Sequence, residues 1–338
     1  MTQSINVLYS VETRSLSKLF GTVKAVDDIS FAVESGEIFG FLGPNGAGKS
    51  TTIMILTTLL KPSTGKALVS GFDVMTQSKQ VRKSIGYVQQ ESTVDEYLTG
   101  RENLLLQARL NHIPKNQINK RIDEVLELIE LSDKQNDPVV TYSGGMRKRL
   151  DIAGGLLHHP KVLFLDEPTV GLDIQTRRKI WEYIKKIHKE FEMTIFLTTH
   201  YMEEADQLCD RIGIIDHGKI QVIDSPQNMK NAMGNEVISL VCENGDSVEF
   251  LSQLKQIEFI KKINQDNNKL TIFTSNGTEV IPKIFQISST LQVKIVSISL
   301  TQPTLDDVFI SYTGREIRDA DTGFNRKLEH AKMKRLRA

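Results

Sequence analysis

Hydrophobic and polar positions change period several times along the chain, and each change predicts an element. Val11–Leu16 alternates weakly and Ile29–Val33 reads as a second short strand, with a turn at Phe20-Gly21 between them. Glu37–Leu42 is a compact apolar strand that runs into a glycine loop, after which the spacing predicts a helix from about Lys49 to Leu60. From about Glu91 to His159 the period is helical. Leu104, Leu105, Ala108 and Leu110 make one stripe, and Ile122, Val125, Leu126, Ile129 and Leu131 another. Ile85–Val88, Lys161–Leu165 and Thr194–Thr198 read as strands, and a helix from about Asp173 to Glu190 separates the last two. Arg211–Ile215 and Lys219–Ile223 form a hairpin across Asp216-His217-Gly218. Alternating strands and helices predict an α/β fold with a largely parallel sheet covered on both faces.

Composition changes between Pro226 and Glu236. Beyond it, the strands Val237–Cys242, Ile260–Asn264, Leu270–Thr274 and Val293–Leu300 interleave with helices at Val248–Ile257 and Thr278–Leu291. That βαββαβ order predicts a small α+β domain of ferredoxin-like type. The expected division is a tail at 1–10, a first domain at 11–228 with a helical subdomain at about 91–160, an accessory domain at 229–313 and a tail at 314–338. In the last stretch, Arg326–Ala338, six of thirteen residues are Lys or Arg against one Glu, as a solvated tail would have.

A chain of 338 residues with 39% hydrophobic content is long enough for about two domains with sizeable cores. Lys+Arg and Asp+Glu both number 42, so no basic excess points to nucleic acid. The two cysteines, Cys209 and Cys242, lie far apart without CxxC spacing, which argues against a zinc site or a disulfide scaffold. Met1–Ser10 lacks the basic and apolar regions of a secretory signal, and the apolar runs fall short of the ~20 residues a membrane helix needs. Any membrane spans must then come from another polypeptide.

The strongest chemical feature is Gly43-Pro44-Asn45-Gly46-Ala47-Gly48-Lys49-Ser50, a full GxxxxGK[ST] match between a strand and a helix. Such glycines let backbone N–H groups approach phosphates, and the helix adds its positive end. Lys49 is placed to reach the β- and γ-phosphates of a nucleoside triphosphate, Ser50 to hold Mg²⁺, and Thr51 and Thr52 to add inner-phosphate contacts. A second feature is Val162-Leu163-Phe164-Leu165-Asp166-Glu167, a buried strand ending in two carboxylates. Asp166 fits a magnesium ligand and Glu167 a base for the attacking water. The third is Tyr142-Ser143-Gly144-Gly145-Met146 ahead of a helix. Ser143 is a natural N-cap there, and Gly144 and Gly145 leave the helix tip open to an anion. His158-His159 has a metal pair's composition, but adjacent helical residues point apart, so helix-end packing is the better reading.

In this order the three features resemble the ATP-binding cassette (ABC) ATPases, a P-loop NTPase family with a mixed sheet core and a helical subdomain. Tyr142–Met146 stands where that family carries its LSGGQ signature. The resemblance covers about Val11 to Asp224 and assigns further roles. Phe20 is similar to the aromatic residue that stacks on adenine, and Gln90 resembles the Q-loop glutamine that contacts Mg²⁺ and links to a permease. Gln89 is its neighbouring competitor. Gly171-Leu172-Asp173 looks like the D-loop, and His200 like the switch histidine at the γ-phosphate. Each is bland alone: a phenylalanine is more often core, and a loop glutamine is usually solvated. Their joint order carries the assignment. Tyr142 replaces the usual Leu and Met146 the usual Gln, while the phosphate-facing Ser143, Gly144 and Gly145 are intact.

The YSGGM form, the following Arg147-Lys148-Arg149-Leu150 and the ending Pro303-Thr304-Leu305-Asp306-Asp307-Val308-Phe309, with Thr313-Gly314-Arg315 after it, are similar to the daunorubicin-resistance type of exporter ATPase. The resemblance implies ATP and Mg²⁺ as ligands and a catalytic set of Lys49, Gln90, Glu167 and His200. It implies a composite site in which the phosphate loop of one subunit faces Ser143–Gly145 of another. Partners would be a polytopic permease and a second ATPase subunit, the same or related, at the cytoplasmic face of the membrane, with Glu91–Asn103 as the permease contact. Importer ATPases share these motifs. Soluble ABC ATPases of translation or DNA repair are less fitting, since no second cassette or long coiled coil is present. A nucleotide kinase would leave Tyr142–Met146 and His200 unexplained, and a non-catalytic regulator would not need Glu167.

Overall fold

The computed structural model describes residues 9–243, 248–266 and 268–313. Expectations for the extreme N-terminus, for the basic stretch from Arg326 and for Gly314-Arg315 lie outside them. The first elements are β1 (Tyr9–Phe20), β2 (Val23–Glu34), β3 (Ile38–Leu42), α1 (Lys49–Leu56), β4 (Thr64–Val69), β5 (Phe72–Asp73), α2 (Ser78–Ser84) and β6 (Ile85–Val88). Next come α3 (Gly100–Leu110), α4 (Lys115–Leu128), α5 (Gly144–Leu156), β7 (Val162–Asp166), α6 (Ile174–Phe191), β8 (Thr194–Thr199), α7 (Met202–Leu208), β9 (Arg211–Asp216) and β10 (Lys219–Asp224). The rest are α8 (Pro226–Met233), β11 (Glu236–Glu243), α9 (Val248–Leu254), β12 (Ile260–Asp266), β13 (Lys269–Thr274), α10 (Gly277–Thr290), β14 (Lys294–Thr301) and α11 (Leu305–Thr313).

The central sheet has six strands in the order β10-β9-β3-β8-β7-β6, parallel except for the β9–β10 hairpin. Its inner strands, IFGFL, VLFLD and TIFLTT, are buried throughout, because a parallel sheet covered on both faces has no wet side. A second, antiparallel sheet, β2-β1-β4-β5, lies over one face. Between the sheets Phe31, Phe39, Phe41, Phe164 and Phe196 share one core, and Phe39 and Phe31 stack with centroids 5.7 Å apart. Burying each such ring stabilises the fold by roughly 1.5–3 kcal/mol. The other face is covered by α3–α7, whose apolar residues form a second core with β3, β7 and β8.

Several boundaries differ from the expectation for physical reasons. β1 and β2 run longer because Ser15 (φ 47°) and Asp28 (φ 56°) break the alternation at register shifts without ending the pairing. α1 stops at Leu56, since Thr58 turns into the left-handed region (φ 66°) and Leu59 and Leu60 donate back to the Met54 carbonyl. β4 and β5 carry too little alternation to mark them; in TGKALV only Ala67 and Val69 are buried. The Pro226–Glu236 stretch is largely helical. Ser225 caps α8 and Pro226 occupies its first turn, where a missing N–H costs nothing.

The C-terminal strands form a sheet ordered β12-β13-β11-β14, antiparallel at every pair, with α9 and α10 closing a core around Phe250, Leu254, Val280 and Ile284. That is the expected ferredoxin-like arrangement. The last helix then leaves it: Leu305, Val308 and Phe309 of α11 join Met202, Ala205, Leu208 and Met229 in the core under the central sheet.

Candidate functional site

The site sits at the carboxyl ends of β3, β7 and β8, where apolar strands emerge and polar residues begin. After β3, Gly43 cannot be replaced, because a Cβ there would lie 2.2 Å from the Ile215 carbonyl oxygen. Gly48 takes φ 107° and a Cβ on it would meet the Ala25 carbonyl at 2.4 Å. The loop is thus threaded between β2 and the β9–β10 turn. The Gly218 N–H donates to Ala47 O at 3.0 Å and the Asp27 N–H to Gly218 O at 2.9 Å.

Lys49, only 4% exposed, donates to the carbonyls of Gly43 (2.7 Å) and Pro44 (3.1 Å) and pairs with Glu167 at 3.2 Å. Burial lowers its pKa, against the pull of the Glu167 charge. Glu167 stands one residue past β7 with φ 46°, an uncommon conformation for a non-glycine residue. Two bonds hold it there: its N–H donates to the Thr198 carbonyl and to the Thr198 hydroxyl, each at 3.1 Å. Its other carboxylate oxygen lies 3.2 Å from Nδ1 of His200. Burial pushes the Glu167 carboxyl up, but the His200 hydrogen bond and the Lys49 charge outweigh it and leave the pKa below the ordinary value. Asp166 accepts from Ser50 at 3.1 Å and from Thr198 at 2.5 Å, and burial raises its pKa.

The structure therefore brings Lys49, Ser50, Asp166, Glu167 and His200 into one hydrogen-bonded cluster. The Ser50 hydroxyl and Asp166 carboxylate, adjacent and both hard oxygen donors, fit a magnesium site. Asn45 and Gly46 are exposed, Ala47 is buried and Thr51 is half-buried; the Thr52 hydroxyl donates to Gly48 O at 2.9 Å inside the helix. Phe20 is half-exposed at the tip of the β1–β2 hairpin, with the Lys18 ammonium 5.1 Å from its ring centroid. Gln90 is half-buried and Gln89 exposed.

Ser143 and Gly144 are exposed at the start of α5, and the Ser143 hydroxyl caps the helix by accepting from the Met146 N–H at 3.3 Å. Gly145 is buried against Thr176, whose methyl would lie 2.5 Å from a Cβ. Tyr142 is buried, and its hydroxyl donates to the Lys134 carbonyl and fills the space beside Gly100. Asp173 caps α6, accepting from the Thr176 N–H at 3.0 Å and hydroxyl at 2.6 Å. His158 reaches the Ile85 carbonyl at 2.8 Å and His159 packs edge-on against Phe191.

Sequence reasoning missed Thr198, the residue that touches both carboxylate positions. Its signal is a polar residue at the end of an otherwise apolar strand, two before His200. It also missed Glu204, which is 0% exposed on α7 and accepts from Thr169 (2.8 Å) and the Trp181 ring N–H (3.0 Å). Burial raises its pKa.

The family profile for the ABC transporter matches residues 26–170, and one for the ATP-binding protein DrrA1-3-like, C-terminal domain matches residues 225–313. The daunorubicin/doxorubicin resistance ATP-binding protein DrrA of Streptomyces peucetius is 38% identical over 93% of this chain and 95% of its own length. The linearmycin resistance ATP-binding protein LnrL of Bacillus subtilis is 33% identical over 91% of this chain and all of its own. Among solved structures, a dimeric post-hydrolysis form of the ATP-binding cassette MJ0796 with ADP and Pi superposes with a TM-score of 0.57 at 27% identity. It covers 64% of this chain and 98% of that one.

Proposed function

This chain belongs to the ABC transporter family of ATP-hydrolysing subunits, and from that premise we infer that it powers export of drugs or other amphiphiles through a separate permease at the cytoplasmic face of a membrane. No helix among the described residues is long and apolar enough to cross a bilayer, in keeping with a separate permease. The export reading rests on its likeness to resistance ATP-binding proteins along nearly the full chain, the C-terminal domain included. An importer ATPase shares the cassette but offers no account of that domain.

One observation carries the chemistry: the Glu167 carboxylate lies 3.2 Å from the Lys49 ammonium on one side and 3.2 Å from the His200 ring on the other, with Asp166 and Ser50 beside them. A triphosphate entering the loop would meet the N–H groups of residues 45–50 and compete for the Lys49 ammonium now held by Glu167. Freed of that partner, an ionised Glu167 accepts the proton of a water as its oxygen bonds to the γ-phosphorus and the bond to the leaving diphosphate breaks. His200 holds the carboxylate in place. Ser50 and Asp166 would hold Mg²⁺, which neutralises phosphate charge, and Gln90 stands at the same end of the sheet. Phe20 would carry the adenine.

The exposed tip at Ser143–Gly144 belongs to a different surface of the cassette: α5 packs on α3, α4, α6 and β6, whereas α1 packs on β2, β4 and β7. The tip would therefore serve the nucleotide of a second subunit, identical or related, closing two sites in a dimer. Replacing Glu167 by Gln removes the base and leaves the cradle. Turnover should fall ~10²–10⁴-fold while ATP binding persists; turnover near wild type in a phosphate-release assay rules the role out.

A further inference from the structure

The helix that presents Ser143 also grips the loop leading out of β6. Lys148, 7% exposed, donates to the carbonyls of Gln89 (2.9 Å) and Gln90 (3.2 Å). Asp151, 8% exposed and one turn further on the same face of α5, accepts from both the N–H (3.0 Å) and the hydroxyl (2.9 Å) of Thr93. On the exposed side Arg147 reaches Glu96 at 2.6 Å. The loop is thereby held at both ends of Gln89–Thr93 by two buried, oppositely charged side chains of one helix.

This arrangement is more than packing requires. A buried ammonium and a buried carboxylate each carry a desolvation cost that apolar residues would avoid. Burial opposes the charge on Lys148, and the neighbouring Asp151 carboxylate supports it. The partners are also telling. Three of the four bonds go to backbone groups of the loop and the fourth to the Thr93 hydroxyl, so they fix its path with little dependence on the side chains it displays. Lys148 lies five residues from Ser143, about 7.5 Å along the helix axis.

We propose that Lys148 and Asp151 are positioning residues that lock the Gln89–Thr93 loop and the Ser143-bearing helix into one body, so that the loop's position sets whether the helix tip meets a second subunit's nucleotide. The proposal rests on the two-subunit site argued above. Lys148 and Asp151 bond to the loop at Gln89, Gln90 and Thr93, and both act through the tip.

The test compares Lys148→Met, Asp151→Ala and Lys148→Arg, each combined with Glu167→Gln, in sedimentation runs with Mg-ATP, alongside binding of a fluorescent ATP analogue at low protein concentration. Lys148→Met and Asp151→Ala should each weaken ATP-driven association about 10- to 100-fold, the scale of charge-assisted hydrogen bonds. Single-chain nucleotide affinity should stay within about 2-fold, and Lys148→Arg should restore association. If Glu167→Gln alone stays single with Mg-ATP, the two-subunit reading and this proposal fall together. If it associates and Lys148→Met and Asp151→Ala associate equally well, the clamp alone falls. The clamp is also overturned if association and single-chain affinity drop in step with thermal stability, because that marks ordinary packing.

Discussion

The cassette and the ferredoxin-like domain are built from the same materials, yet they bury different things. Under α9 and α10 the smaller domain buries Phe250, Leu254, Leu270, Ile272, Val280 and Ile284. The cassette buries comparable apolar residues and also Lys49, Asp166 and Glu167 around the carboxyl ends of its strands and Lys148 and Asp151 on α5. Buried charge costs stability unless it is paired, and stability alone does not explain it. It accumulates in the half of the molecule where ATP is hydrolysed. The smaller domain is tied to the cassette by α11.

Removing apolar bulk from the smaller domain is the largest insult to stability and should be the mildest to catalysis. Phe250→Ala is expected to cost about 3–5 kcal/mol of that domain's stability. ATP turnover of the chain should stay within about 2-fold. Calorimetry paired with a turnover assay checks this, and equal loss of both would erase the contrast. Lys49→Ala should do the reverse. It removes the buried ammonium aimed at phosphate, and ATP affinity should drop about 10- to 100-fold by titration calorimetry, while the fold survives.

The smallest effect concerns Glu204. Its folded pKa lies above the ordinary 4.5, so the unfolded chain gives up its proton first as pH rises. The fold is then favoured fully below about pH 4.5 and loses that contribution as pH climbs through the raised value. Glu204→Gln has no such loss. Its melting temperature relative to wild type should rise between pH 5 and pH 8, by a few degrees; a pH-independent difference would show that Glu204 is not held protonated.

The sequence made the parallel strands and the phosphate loop legible because both are dense local signals: continuous apolar runs, and glycines where backbone must approach backbone. The βαββαβ order of the C-terminal part was legible for the same reason. What escaped was set by tertiary contact. β4 exists because β1 offers it an edge and β5 because β4 does, and α11 is held by Met229 and Leu208 rather than by its own pattern. Within the site, Lys49, Asp166, Glu167 and His200 could be picked from motifs. Thr198 and Glu204 could not, since their meaning lies in what they touch 23 to 35 residues away.

The central claim is that a phosphate loop from one copy and the Ser143–Gly144 tip of another make one working site. Mixing tests it directly. Lys49→Ala lacks a working loop but keeps the tip, and Gly144→Glu places a negative charge at the tip but keeps the loop. Each alone should be inactive in phosphate release, whereas the mixture should recover up to about a quarter of wild-type turnover, because mixed pairs hold one intact site. A mixture as silent as its components would contradict the account.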